Sequence, residues 1–274
     1  LSGSYTQHEF YDLTIINTGV TNTIVMGGNF NVKNNFTLES GTVDLENEDP
    51  RIQIEGNLTI SDEAVWIKGY EPIIFNGSTQ FSDTNPQVNN LGRVNVMDSL
   101  TILTDMAVDG LFITSTGTFN HVPSLTLYNA GDLVVNEGGA FDSDSIRITF
   151  NGDTTQSIAG VNNFYNININ SCESCFVEFS DINDVIFVTN EVSINTGALN
   201  LPYSSNLESL TINEEGILQS GEIIRITGSW SNNGEFLHNN GIVIFEGANQ
   251  SINGNTGFYE LSKETLVADT LTFE

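Results

Sequence analysis

Basic side chains are scarce in this chain: 7 lysines and arginines face 35 aspartates and glutamates in 274 residues, a formal net charge of −28. Such a balance repels polyanions, so nucleic acid and anionic membranes are poor partners, and divalent cations or cationic surfaces are better ones. Charged residues of either sign make up only 15%, so neutral polar groups must cover most of the surface. The two cysteines carry little information about redox compartment. No apolar run approaches the length of a membrane-spanning helix. The opening Leu1-Ser2-Gly3-Ser4-Tyr5 has neither the basic start nor the apolar run of a signal peptide. With no initial Met and a strand-like pattern still running at Leu271-Thr272-Phe273-Glu274, the expectation is a segment of a longer mature protein.

What the chain does hold is asparagine, 35 residues of it, with abundant Thr, Ser and Gly. A hydrophobic content of 39%, dense in Ile, Val and Phe, argues against disorder. Those apolar residues alternate with polar ones in short runs, as in Ile52-Gln53-Ile54, Leu58-Thr59-Ile60, Leu125-Thr126-Leu127 and Val192-Ser193-Ile194. Gly, Asn or Asp bounds each run, and period two over three to five residues is the mark of a strand. Helical spacing is hardly ever sustained, so the chain reads as all-β.

A longer phrase recurs. Ile148-Thr149-Phe150-Asn151-Gly152 is followed by Gln156, Ile158 and Phe164-Tyr165-Asn166-Ile167; Val243-Ile244-Phe245-Glu246-Gly247 is followed by Gln250, Ile252 and Phe258-Tyr259-Glu260-Leu261. A weaker copy holds Phe75-Asn76-Gly77 and Gln80, and a partial one opens at Gln7 and Phe10-Tyr11. Repetition at this scale predicts a stacked architecture. We therefore expect one continuous right-handed parallel β-helix or β-solenoid, with coils of roughly 20–25 residues rising about 4.8 Å each. Higher-order repeats would span about 1–80, 81–158, 159–252 and, incompletely, 253–274. Tandem β-sandwich domains are the alternative.

The stretch Gly228-Ser229-Trp230-Ser231-Asn232-Asn233-Gly234-Glu235-Phe236, followed by Val243-Ile244-Phe245-Glu246-Gly247 and Gln250-Ser251-Ile252, resembles a repeat of large exported proteins of Bacteroidota. Phe164–Ile169 and Phe10–Ile15 match that repeat's closing phrase, whereas Leu91-Gly92-Arg93-Val94 departs from it. The resemblance implies a solenoid fold, an extracellular, outer-membrane-associated setting and export by the type 9 system. Proteins of that kind include gliding and attachment adhesins.

Candidate chemistry is thin. His8, His121 and His238 are isolated in turn-like contexts and read as surface or turn residues, with no catalytic or metal-binding spacing. Carboxylate pairs such as Asp44/Glu46, Asp142/Asp144 and Asp181/Asp184 arise readily in so acidic a chain. The best calcium candidates are Glu46, Glu48 and Asp49 in one loop and Asp142 and Asp144 in another; solvated acidic loops are the plain alternative. Arg51, Arg93, Arg147 and Arg225 each open a strand, which suggests pairing with acids on neighbouring coils. Cys172 and Cys175 lie in a turn among Asn and Ser, not at a helix start. A local disulfide is the preferred reading, ahead of a free pair or a zinc site. Asn232-Asn233-Gly234 and Asn239-Asn240-Gly241 look like corners where asparagines of successive coils would form ladders. Asp-Ser and Asp-Thr triplets resemble the O-glycosylation signal of Bacteroidota exported proteins, which would place sugars on Ser99, Ser145, Thr154 or Thr270.

The function expected from this reading is a non-catalytic stalk, filament or attachment segment of a secreted surface protein. It would need no cofactor, calcium being the one candidate, would touch neighbouring repeats of its own polypeptide and surface glycans or other surface proteins, and would neither bind nucleic acid nor span a membrane. The alternatives are a polysaccharide lyase or hydrolase on a parallel β-helix and a carbohydrate-binding module without turnover.

Overall fold

A computed structural model describes residues 8–18, 23–181, 183–265 and 269–274. Gln7 of the partial repeat and the opening Leu1–Tyr5 lie outside the described residues. The described chain is all strand and turn, every ladder in it is parallel, and it winds as a β-solenoid. Sandwich domains need antiparallel pairing, which no described ladder supplies. The chain divides into two compact units, Leu1–Asp142 and Ser143–Glu274.

In the first unit, one sheet stacks His8–Phe10, Phe30–Val32, Ile52–Ile54, Ile73–Phe75, Arg93–Val96, Gly110–Ile113 and Leu133–Val135. A second runs from Leu13–Ile16 through Phe36–Asp44, Leu58–Ile60, Ser78–Asp83, Ser99–Ile102 and Thr118–His121 to Ala140–Phe141. The third side is interrupted: Ala64–Ile67 ends one ladder, and Met106–Val108 with Thr126–Asn129 forms another. The second unit has three comparable sides, and its strands Val185–Asn200 and Ser204–Gln219 run through the corners from one side to the next.

Register gives the coil lengths directly. Phe30, Ile52, Ile73, Val94, Leu111 and Leu133 stack, so successive coils take 22, 21, 21, 17 and 22 residues. In the second unit Ile148, Ile167, Val192, Leu210, Trp230 and Ile252 stack, with steps of 19, 25, 18, 20 and 22. The range is wider than the expected 20–25 because corners differ in length. The 17-residue coil has a single residue, Asp109, between Met106–Val108 and Gly110–Ile113. The 25-residue coil contains the Cys172–Cys175 turn.

Alternation puts Ile52, Ile54, Leu58, Ile60, Val94, Val96, Leu100 and Ile102 inside the coils. The large rings are stacked there too, with Phe30 edge-on to both Phe10 and Phe36, and Phe119 flat on Phe141 at 5.1 Å. One inward hydroxyl, Ser205, is fully buried with no hydrogen-bond partner. Removing such a group relieves a desolvation cost, so Ser205→Ala is expected to raise unfolding free energy by about 1 kcal/mol, read from urea denaturation. A loss of stability would show that the hydroxyl has a partner in solution.

The recurring phrase now has a physical meaning. Phe75, Phe150 and Phe245 point into the core. The following glycine crosses the previous coil so closely that a Cβ on Gly77 would lie 2.2 Å from the Glu55 carbonyl oxygen. The glutamine is buried: Gln156 accepts the Gly152 N–H at 2.9 Å, and Gln250 donates to the carbonyls of Ile226 (2.9 Å) and Gly228 (2.8 Å). Gln80 departs from this pattern. It is exposed, and Thr79 takes the buried place, donating to the Ser99 carbonyl at 2.7 Å.

Where the third side of the first unit is interrupted, Asp83 organises the replacement loop. Its buried carboxylate accepts from both the backbone and the side-chain nitrogens of Asn85 (3.0 and 2.6 Å) and of Asn89 (2.7 and 3.0 Å). Asn85 and Asn89 in turn accept the backbone N–H of Glu63 and Trp66 on the previous coil. Asp83→Ala strands these donors and is expected to cost about 2 kcal/mol. Hydrogen exchange would show the loss concentrated at Glu63 and Trp66; a uniform loss would contradict this local role.

Candidate functional site

Most residues with chemical potential turn out to hold coils together. Lys33 pairs with Glu55 at 2.7 Å on one neighbouring coil and with Glu9 at 3.6 Å on the other. Lys68 reaches Asp109 at 2.5 Å, Lys263 reaches Asp269 at 2.5 Å, and Arg225 pairs with Glu246. Arg93 instead donates to the Tyr70 carbonyl, so the expected cross-coil pairing of strand-opening arginines with acids does not describe this one. The asparagine ladder runs elsewhere than Asn232–Gly234 and Asn239–Gly241. Asn195 donates to Asn168 (2.9 Å) and Asn170 (2.7 Å), and Asn213 donates to Asn195 (2.6 Å). Asn232 donates to the Asn255 carbonyl and Thr256, and Asn239 to the Ser220 carbonyl.

The hydrogen bonds from Lys33 first, then from Asn31, hold the Glu55 carboxyl below its ordinary range, and Glu55 in turn raises Lys33. A depressed carboxyl contributes stability that is present above its unfolded value and lost as pH falls through the folded one; a raised amine contributes below its unfolded value and loses it at high pH. The pair is therefore constant through neutral pH and weakens in acid. Glu55→Gln is expected to flatten the acid limb of a thermal-unfolding profile taken from pH 6 to pH 3. An unchanged limb would contradict the assignment. Asp184 opposes this trend, because burial, and then the Asp181 charge, raises its carboxyl.

The calcium candidates do not converge. Glu46 and Glu48 are exposed, whereas Asp49 accepts the backbone N–H of Tyr70 and Glu71 at 2.6 Å each and so staples the next coil. Asp142 is half-buried, with its carboxylate 3.9 Å from His121 Nε2, and Asp144 is exposed. Among the described residues no group of three or more His, Cys, Asp or Glu is placed to hold a metal ion. Cys172 and Cys175 are joined as a disulfide, closing a turn whose Cys175 carbonyl accepts the Ala198 N–H of the following coil. His121 is not a surface residue: its imidazole is buried, with Nδ1 2.8 Å from the Val122 carbonyl. His8 is exposed, and His238 stacks on Tyr259. Of the glycosylation candidates, Thr154 and Thr270 are exposed, while Ser99 and Ser145 are half-buried.

Among the surface depressions of the described residues, two lie on outward sheet faces. In the first unit a depression of about 400 Å³ is lined by Arg93, Asn95, Asp109, Gly110, Phe112 and Asp132, with Val134 at its edge. Asn95 and Phe112 are register partners, as are Arg93 and Gly110. Gly110 has no side chain, and that opens the space beside Arg93. In the second unit a depression of about 290 Å³ lies over Phe187, Asn206 and Arg225, which are register neighbours on three successive coils, with Glu208 and Glu246 also lining it. Phe187 is 44% exposed, and the short Asn206 forms a floor between it and Arg225.

These residues escape sequence reasoning for a physical reason. Val185-Ile186-Phe187-Val188 and Leu111-Phe112-Ile113 are uninterrupted apolar runs, so no polar neighbour marks which side faces out. No family model, curated protein or solved structure matches this chain. Among the described residues no helix is long and apolar enough to cross a membrane.

Proposed function

We propose that the chain is a non-catalytic spacer and attachment segment of a large exported cell-surface protein. The observation that carries this reading is where the polar residues go. The buried glutamine Gln250 of the repeated phrase, the asparagine ladder, Asp49 and Lys33 all spend hydrogen-bonding capacity on the adjacent coil. A scaffold of nearest-neighbour contacts of this kind extends by repetition. The outer faces are left for display. Resemblance to the repeats of exported Bacteroidota proteins supplies the surface setting and the type 9 export route, and the exposed Thr154 and Thr270 would be the most accessible glycosylation acceptors.

The test uses intact cells of the source organism. An antibody against the chain should label unpermeabilised cells, and deletion of the segment should weaken attachment to surfaces while leaving growth on polysaccharides unchanged. Labelling confined to lysed cells would overturn the surface assignment. New reducing ends or unsaturated products from a panel of acidic and neutral polysaccharides would overturn the non-catalytic one.

A further inference from the structure

The two outward depressions share a composition that the scaffold does not require. Each presents a phenylalanine on a sheet face, an asparagine as its register partner, an arginine and at least one carboxylate. They arise independently, one from the bare backbone of Gly110 and the other from the short Asn206 between taller neighbours. We propose that both bind uncharged pyranose units of a polysaccharide. This deepens the attachment reading above and rests on it.

The chemistry fits in three respects. A pyranose has an apolar C–H face, and an accessible phenyl ring offers the matching surface; Phe112 and Phe187 lie on the outward faces of their strands. Vicinal hydroxyls both donate and accept, and the paired Arg225 and Glu246 set a donor beside an acceptor at one rim. In the first unit Arg93 and Asp109 are at the rim, and Asp109 is already held by Lys68 and Asn90. The volumes suit one or two rings, and a cleft on a flat sheet is open at its ends, so a polymer could pass through it. Charge selects against uronic or sulfated sugars, because the chain carries −28 overall and acids line both sites. A peptide partner is disfavoured, because the strands beneath are paired on both sides and offer no edge to extend.

The experiment titrates the full chain with cellohexaose and mannohexaose, and with an oligogalacturonate as the acidic comparator. At least one neutral hexaose is expected to bind. Phe112→Leu and Phe187→Leu keep an apolar side chain but remove the ring face, and each should weaken binding at its own site by about tenfold. The double variant should weaken binding at both sites by about tenfold, and tryptophan in place of leucine at either position should restore the affinity of that site. Tyr203→Ala, an exposed aromatic outside both sites, should change nothing. Thermal unfolding of each variant separates lost binding from lost fold. No binding of either neutral hexaose at millimolar concentration, unaltered binding in the double variant, or preference for the oligogalacturonate would each overturn the proposal. Cleavage of a bound hexaose would refute the non-catalytic reading and leave the binding proposal standing.

Discussion

Trp230→Ala is expected to cost about 4 kcal/mol of unfolding free energy, the largest effect of any single substitution considered for this chain. Its indole is fully buried, stacked between Leu210 and Ile252 of the adjacent coils. Phe236 meets it edge-on at 4.9 Å, and Phe258 lies at 5.3 Å. The indole N–H also donates to Thr256 Oγ1 at 3.0 Å. Alanine therefore leaves a cavity among rings that coil geometry prevents from collapsing. Trp66 gives a matched comparison. It too is buried, but its indole N–H has no acceptor among the described residues. Trp66→Phe should be close to neutral, whereas Trp230→Phe loses a satisfied hydrogen bond. Urea denaturation of the three variants decides the matter, and equal costs for the two phenylalanine replacements would sink the argument.

Gly247→Ala is expected to cost about 3 kcal/mol or more, because the clash is with backbone and cannot be relieved by a rotamer change. A Cβ there would lie 1.7 Å from the Thr227 carbonyl oxygen and 3.1 Å from Gln250 Cδ. To make room, the coils must part where Ile226–Phe245 pairing and the Gln250 bonds hold them. Ten residues on, Gly257 has nothing within 4 Å of its would-be Cβ. Gly257→Ala should lie within about 0.5 kcal/mol of the parent. Thermal unfolding of the pair gives the readout, and similar midpoints would mean that coil spacing does not depend on the glycine of the repeated phrase.

The sequence made the fold class legible because the signal is local. Ile52-Gln53-Ile54 and Leu58-Thr59-Ile60 show period two, and Gly56 between them marks the corner. The Phe-x-Gly…Gln phrase also announced stacking before its mechanics were known. Lateral relations were not legible. Gln80 and Gln156 look alike in sequence, yet one is exposed and the other buried, because the intervening turns place them differently on their strands. The ladder through Asn195 depends on which asparagines share a register, and coil lengths of 17–25 residues leave that open. The depressions were hidden for a related reason. Phe112 and Phe187 sit in runs where every residue is apolar, so an outward ring cannot be told from a core one until strand pairing is known.

The short reach of the cross-coil bonds has a consequence for how such a chain changes over generations. Asn213 answers to Asn195, Asp49 to Tyr70, and Lys33 to Glu55; each partner lies about one winding away. An insertion or deletion of a whole winding leaves every surviving bond a plausible substitute, whereas loss of half a winding orphans them all. Length variation among descendants should therefore come in quanta of roughly twenty residues, and a gene of this kind can be stretched by unequal crossing-over without redesign.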